Sequence, residues 1–308
     1  MIRPPVLREG DRIALVAPAS PFNREEFERG LLELRSIGLE PVFNESIFQR
    51  SEYLAGNASD RARSFFEAWS DPAIAAVMAV RGGYGSAQLL PFFDVTDFRK
   101  TPKVLVGCSD ITSLLSFMSI QCGMTVFHGP MVVTLGKGVG LYDRSSLIGQ
   151  VMEGASYGRL NCDGVDILEA GLCHGPIYGG TLTQIVASLG TPFSFNPPEN
   201  YVLLLDDVDE RPYRIDRMMN QLRQAGLLKR AAGLLCSEFP GCEEGNGELS
   251  ARSVLARYGR DIDGPVVFGL RTGHTSHPMV TVPLGVKATI QAKSSVVEVV
   301  IDEAAVIA

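Results

Sequence analysis

From residue 12 onward, short β-rich apolar runs alternate with amphipathic stretches. Residues 12–17 (RIALVA) predict a strand, and residues 25–37 set Phe27, Leu31, Leu34 and Ile37 on one face of a helix. Residues 41–43 predict a second strand and 59–69 a helix with Ser59 as its cap. A strand at 74–80, a short helix at 86–90, a strand at 103–106 and a helix at 111–120 follow. Such βα alternation implies a parallel sheet with helices on both faces.

The pattern changes over residues 134–164, where glycine-rich polar sequence (TLGKGVGLYDRSS, EGASYG, NCDG) holds one helical stretch near 145–152. Beyond it, 181–189, 213–225 and 251–258 read as helices. Residues 202–205, 233–236, 266–268, 286–291 and 296–301 read as strands, the last two forming a β-ribbon. The expected organisation is an N-terminal α/β domain over 1–135, a linker over 136–164, and a C-terminal mixed β/α domain over 165–308. Length alone suits two ordinary domains.

Composition keeps this picture and removes some functions. The chain is 45% hydrophobic and 20% charged, as expected of an ordinary globular protein with a real core. A net charge of −7 without a basic cluster argues against nucleic acid as a partner. No apolar run reaches the length of a membrane span, and the N-terminus lacks the apolar core of an export signal, so a cytoplasmic protein is expected. The six dispersed cysteines show neither paired nor zinc-site spacing and read as reduced, mostly buried thiols.

The sharpest chemical signal is KVLVGCSDITSLLSFM, in which an apolar strand runs through Gly107 and Cys108 into Ser109 and directly into a helix. A serine at such an elbow projects its hydroxyl, while the helix start behind it supplies free amides for a developing oxyanion. Of the G-x-S-x-G pattern the first glycine is present and the last position is Ile111. From these residues alone, Ser109 or Asp110 reads equally as an N-cap. In VMAVRGGYGSAQLL, three glycines within residues 82–85 allow close backbone approach and an anion nest, or simply a tight turn. Of four histidines, His274 lies in the polar loop RTGHTSHP, whereas His128 and His174 each precede Gly-Pro and suggest turns after strands. An apolar strand delivers Asp206 and Asp207 at its end, with Asp209 and Glu210 just beyond. Such positions suit catalysis in α/β folds, and equally the capping of the next helix.

Together these segments resemble the LD-carboxypeptidase family, which includes the microcin-immunity peptidases. The blocks IALVAPAS, RGGYGSAQLLP, VGCSDITSLL, FHGP, YGGTLTQIVASLGTP, LLLDDVDERPYRIDRMMNQL and GHTSHP carry the likeness nearly end to end. The resemblance implies a flavodoxin-like or Rossmann-like N-terminal half, a C-terminal half with its own β/α layers, an active site between them, and a homodimer. It also implies Ser109 as nucleophile, His274 as base, and the backbone amides of Gly83 and Asp110 as the oxyanion hole. No metal or organic cofactor is called for. The family pattern reads Leu-Glu-Asp where this chain has Leu205-Asp206-Asp207, which puts the triad acid on Asp206, with Asp207 or Glu210 as substitutes.

The implied substrate is a murein tetrapeptide or muropeptide, cleaved before its terminal D-alanine during cell-wall recycling. Arg81, Tyr84 or Arg271 are candidates to bind it. Two other readings compete. One is a microcin-immunity type enzyme acting on acyl-nucleotide amides, which calls for an aromatic surface to stack the base. The other is a catalytically silent protein whose glycine loop holds a small ligand.

Overall fold

The computed structural model describes residues 1–245 and 249–308. Each apolar run of the first half becomes a short strand: β1 (Arg12–Val16), β2 (Glu40–Val42), β3 (Ala76–Ala79), β4 (Val104–Gly107) and β5 (Val126–His128). Neighbours among these five pair in parallel. In β3 and β4 all four residues are buried, because helices cover both faces of a parallel sheet. The helix Arg24–Ser36 buries Phe27, Leu31 and Leu34, and Asn23 caps it through Glu26 N. The next helix, Ala58–Ser70, starts before the expected Ser59. Asn57 supplies the cap, its side chain accepting from Asp60 N at 2.8 Å.

The second half adds β6 (Gly158–Arg159), β7 (Asp166–Glu169), β8 (Gly171–Thr181), β9 (Tyr201–Asp206), β10 (Ala231–Ser237), β11 (Val266–Leu270), β12 (Val282–Leu284), β13 (Lys287–Lys293) and β14 (Val296–Ile301). Eight of these form the sheet β6-β14-β13-β8-β9-β10-β11-β7, in which β8 to β11 run parallel. The ribbon is β13 with β14, antiparallel. β12 instead returns to the first sheet, whose order is β12-β5-β4-β3-β1-β2, and pairs antiparallel to β5. The expected linker carries the helix Arg144–Val151 and β6, so that both sheets draw on segments outside the divisions expected from composition.

His174-Gly175-Pro176 is not the turn its residues suggest. β8 runs straight through it, paired with β13 from Gly171 to Pro176. Gly175 is required where Asn200 O would lie 2.2 Å from a Cβ, and Pro176 precedes the ladder to β9, which begins at Ile177. Long-range pairing thus overrides the local turn signal.

The two sheets meet at the carboxyl ends of their parallel strands. Thr181 N, at the end of β8, donates to Thr112 Oγ1 just after the β4 elbow at 3.0 Å, and Gln121 Nε2 donates to Pro192 O at 3.0 Å. Among the described residues no helix is long and apolar enough to cross a membrane.

Candidate active site

β4 ends at Gly107, Cys108 is extended, and Ser109 takes a φ of 61° before the chain enters helical turns spanning residues 109–121. A positive φ at a residue with a side chain is strained, and here the strain aims the hydroxyl off the strand end. The glycine loop after β3 closes over this turn. A Cβ on Gly82 would lie 2.9 Å from Ser109 Cβ and 3.3 Å from Asp110 N, so no larger residue fits without displacing the elbow.

Neither Ser109 nor Asp110 caps its own helix, whose N-cap position, Cys108, makes no side-chain bond. The buried Asp110 carboxylate instead accepts from Ser86 N at 2.8 Å and Gly85 N at 3.3 Å, and Ser86 Oγ donates to Asp110 O at 2.5 Å. The side chain of Asp110 therefore fastens the glycine loop to the elbow. Its backbone amide and that of Gly83, next to the Gly82 that packs on Ser109, have no acceptor among the described residues, which leaves both as free donors.

Ser109 Oγ lies 3.1 Å from His274 Nε2, and His274 Nδ1 lies 3.0 and 3.1 Å from the two oxygens of Asp206. With Asp206 ionised, Nδ1 carries the proton and the Nε2 lone pair faces the serine hydroxyl. Asp206 closes the fully buried strand β9 and is itself 0% exposed. Its carboxylate also accepts from His274 N at 2.7 Å and Thr181 Oγ1 at 2.8 Å, with Ser237 Oγ at 3.5 Å. Burial pushes the Asp206 pKa up, but the hydrogen bonds and charge of His274 outweigh it and hold the carboxyl below its ordinary range. Burial likewise lowers the His274 pKa, and Asp206 more than reverses that, leaving the imidazole above its ordinary value.

The shorter acid reaches the histidine because the backbone approaches it. Gly273 has a φ of +66°, and a Cβ there would sit 2.4 to 2.6 Å from the Asp206 carboxylate. Neither substitute acid contacts the imidazole. Asp207 turns to the helix Leu182–Ser188, accepting from Thr183 N at 2.9 Å and Thr183 Oγ1 at 2.8 Å, and burial pushes its pKa up to about 6. Glu210 Oε2 lies 3.5 Å from Arg214. Arg81 is exposed on the glycine loop, where Nη1 donates to Pro21 O at 2.6 Å; Tyr84 is exposed beside it; Arg271 reaches toward Gly164.

Two further residues at this site were given no catalytic role by the sequence. His128 closes β5, is fully buried, and has neither ring nitrogen paired among the described residues. Burial drops its pKa to about 4 despite the nearby Asp206 charge, which makes it a neutral neighbour of the triad. Glu238, just past β10, accepts from Thr275 Oγ1 at 2.6 Å and Ser276 N at 3.0 Å and meets His277 Nδ1 at 2.5 Å. These contacts pin the loop immediately after His274. The available signal was the one that marks Asp206: a polar residue closing an apolar strand.

Glu238 is accordingly expected to act as a positioning residue. Glu238→Ala should lower kcat by about 10- to 100-fold while KM moves by less than about threefold, since a base displaced by a fraction of an ångström loses its near-attack geometry. Glu238→Gln, which still accepts from Ser276 N, should restore most of the rate. Steady-state kinetics check this, and an effect confined to KM would refute it.

Fold and side chains together define an α/β protein with the serine–histidine–carboxylate arrangement of a hydrolase, its parts supplied by both sheets. Similarity to known proteins narrows that class. Residues 13–129 match the LD-carboxypeptidase N-terminal domain and residues 174–290 the LD-carboxypeptidase C-terminal domain. The chain is 33% identical to the probable murein peptide carboxypeptidase of Bacillus subtilis, over 98% of this chain and 96% of the relative. It is 30% identical to the murein tetrapeptide carboxypeptidase of Pseudomonas aeruginosa, over 85% and 88%. The structure resembles muramoyltetrapeptide carboxypeptidase from Oxalobacter formigenes with a TM-score of 0.83 at 27% identity, covering 95% of this chain and 99% of that one. It also shares its fold with the microcin C7 self-immunity protein in complex with aspartyl sulfamoyl adenosine, at a TM-score of 0.90 and 22% identity, covering 99% and 100%. The chain belongs to the LD-carboxypeptidase family.

Proposed function

We propose that this protein is a serine LD-carboxypeptidase that hydrolyses the bond preceding the C-terminal D-alanine of murein tetrapeptides. The observation that supports the reading most directly is the continuous chain from Ser109 through His274 to the buried Asp206, at 3.1 and 3.0 Å. His274 Nε2 takes the Ser109 proton as Oγ attacks the scissile carbonyl. The tetrahedral oxyanion is met by the amides of Gly83 and Asp110, and the imidazolium, held by Asp206, protonates the leaving amine. Water then enters, gives its proton to His274, and hydrolyses the acyl-enzyme at Ser109. In this reading Arg81, exposed on the glycine loop, meets a substrate carboxylate, and Tyr84 lines the approach.

The names of the relatives from Bacillus subtilis and Pseudomonas aeruginosa favour a murein peptide over an acyl nucleotide. Trp69, the one tryptophan, is fully buried and offers no face to a nucleobase. Cytoplasmic murein recycling and a homodimeric assembly complete the proposed reading.

The test is D-alanine release from free tetrapeptide, with and without a chelator, beside hydrolysis of an aminoacyl sulfamoyl adenosine. Chelator-insensitive D-alanine release that exceeds nucleotide turnover supports the proposal. The reverse order of rates assigns the protein to the nucleotide-directed branch.

A further inference from the structure

Tyr53 and Tyr84 are 59% and 51% exposed, yet their rings touch, with centroids 5.7 Å apart at an interplanar angle of 62°. Single exposed aromatics are ordinary, but a contacting pair at the rim of a site is a ready-made binding surface. Neither phenol hydroxyl has a hydrogen-bond partner among the described residues, so both remain free to meet a ligand. The pair is built into the catalytic loops. Tyr84 follows Gly83 directly and its amide donates to Ser20 Oγ at 3.1 Å, while the loop bearing Tyr53 is pinned to the exit of β1 by Ala55 N to Ala19 O at 2.9 Å.

The spacing indicates what would reach the pair. Ser109 follows β4, and the tyrosines lie over the exits of β3 and β1, one and two strands away. Two strand intervals amount to roughly 10 Å. The three residues on the acyl side of a tetrapeptide, fully extended, span at most about 11 Å. In murein the group beyond the third residue is the N-acetylated muramyl sugar. A pyranose chair offers a C–H-rich face to an aromatic ring and hydroxyl and acetamido groups to free phenols.

Resting on the carboxypeptidase reading, we infer that Tyr53 and Tyr84 form a saccharide subsite that binds the muramyl ring attached to the N-terminus of the substrate peptide. The enzyme then prefers sugar-linked peptides to free ones.

The test compares kcat/KM for N-acetylmuramyl-tetrapeptide and free tetrapeptide. The native protein should favour the sugar-linked peptide by about tenfold or more, equivalent to about 1.4 kcal/mol. In Tyr53→Ala the ratio should fall to within about twofold of one, and Tyr53→Phe should keep most of it, because ring contact contributes more than the hydroxyl. A native ratio near one, or a ratio unchanged in Tyr53→Ala, overturns the subsite. If the native protein releases D-alanine from neither peptide, the carboxypeptidase reading fails by itself. Binding of N-acetylmuramyl-tetrapeptide to Ser109→Ala, with and without Tyr53→Ala, then reads the subsite directly, and equal affinities overturn it.

Discussion

Ser109→Ala is expected to lower kcat for D-alanine release by about 10⁴- to 10⁶-fold, leaving residual turnover from the oxyanion amides and substrate binding alone. In the proposed mechanism Ser109 forms the acyl-enzyme bond, and no neighbour offers a substitute. Cys108 is buried, and burial drives its thiol pKa up, far from a reactive thiolate. His274→Ala should cost a similar factor, because without the Nε2 lone pair at 3.1 Å the hydroxyl stays protonated. The two losses are not additive: the double variant should be no slower than either single one, since both residues serve one proton transfer. Substrate affinity should survive in Ser109→Ala, because the lost contact is the one to His274 Nε2, and the imidazole stays held by Asp206 through Nδ1. Product assays over long incubation and calorimetric binding check both halves. Turnover in Ser109→Ala above about 1% of native would refute the assignment of the nucleophile. A silent binding protein would show no native turnover for the substitution to remove.

What the sequence revealed follows the range of the interactions involved. Ser109 was visible because its elbow is local: apolar strand, Gly107, Cys108, then helix within a few residues. Asp206 was visible as the acid ending an apolar strand, all six of whose residues are buried. His274 was one of four histidines, marked locally only by its polar loop, and it was the family resemblance that picked it out. The role of Asp110 as a fastener was hidden, because Ser86, its partner, lies 24 positions away and a local reading makes Asp110 a cap. The continuity of β8 through Pro176 was hidden too, since it depends on β13, more than a hundred residues on. The return of β12 to the first sheet has the same cause: three residues carry almost no periodicity, and a partner on β5 decides their place. The fit of an aspartate where the resemblance leads one to expect glutamate could be judged only once Gly273 was seen against its carboxylate.

Asp206→Asn carries the second large effect and is best read as a pH profile. His274 works as a base only when neutral, so native kcat/KM should rise with pH through the imidazole pKa, which lies above the ordinary 6.5. Two opposed influences set that position: burial, which favours the neutral ring, and negative charge, foremost that of Asp206 with Asp207 and Asp209 behind it, which favours the charged ring and prevails. Asparagine at 206 removes the largest part of the second and leaves the first, so the acid limb should move to lower pH. It should also lower kcat near neutrality by about 10³- to 10⁴-fold, because an amide orients the wrong tautomer and does not stabilise the imidazolium formed in the transition state. The native-to-variant ratio is therefore expected to be largest on the alkaline plateau and to shrink as pH falls, where native His274 is already protonated and the variant imidazole is not. Asp207→Asn serves as the comparison, since that carboxylate is hydrogen-bonded to Thr183 and acts on the imidazole only through its charge, so its removal should move the limb less. A Asp206→Asn profile whose acid limb stays at the native position would mean that some other group raises the histidine pKa, and would remove Asp206 from the triad. A limb that moves down clearly further with Asp206→Asn than with Asp207→Asn assigns the acid to the residue at the end of β9.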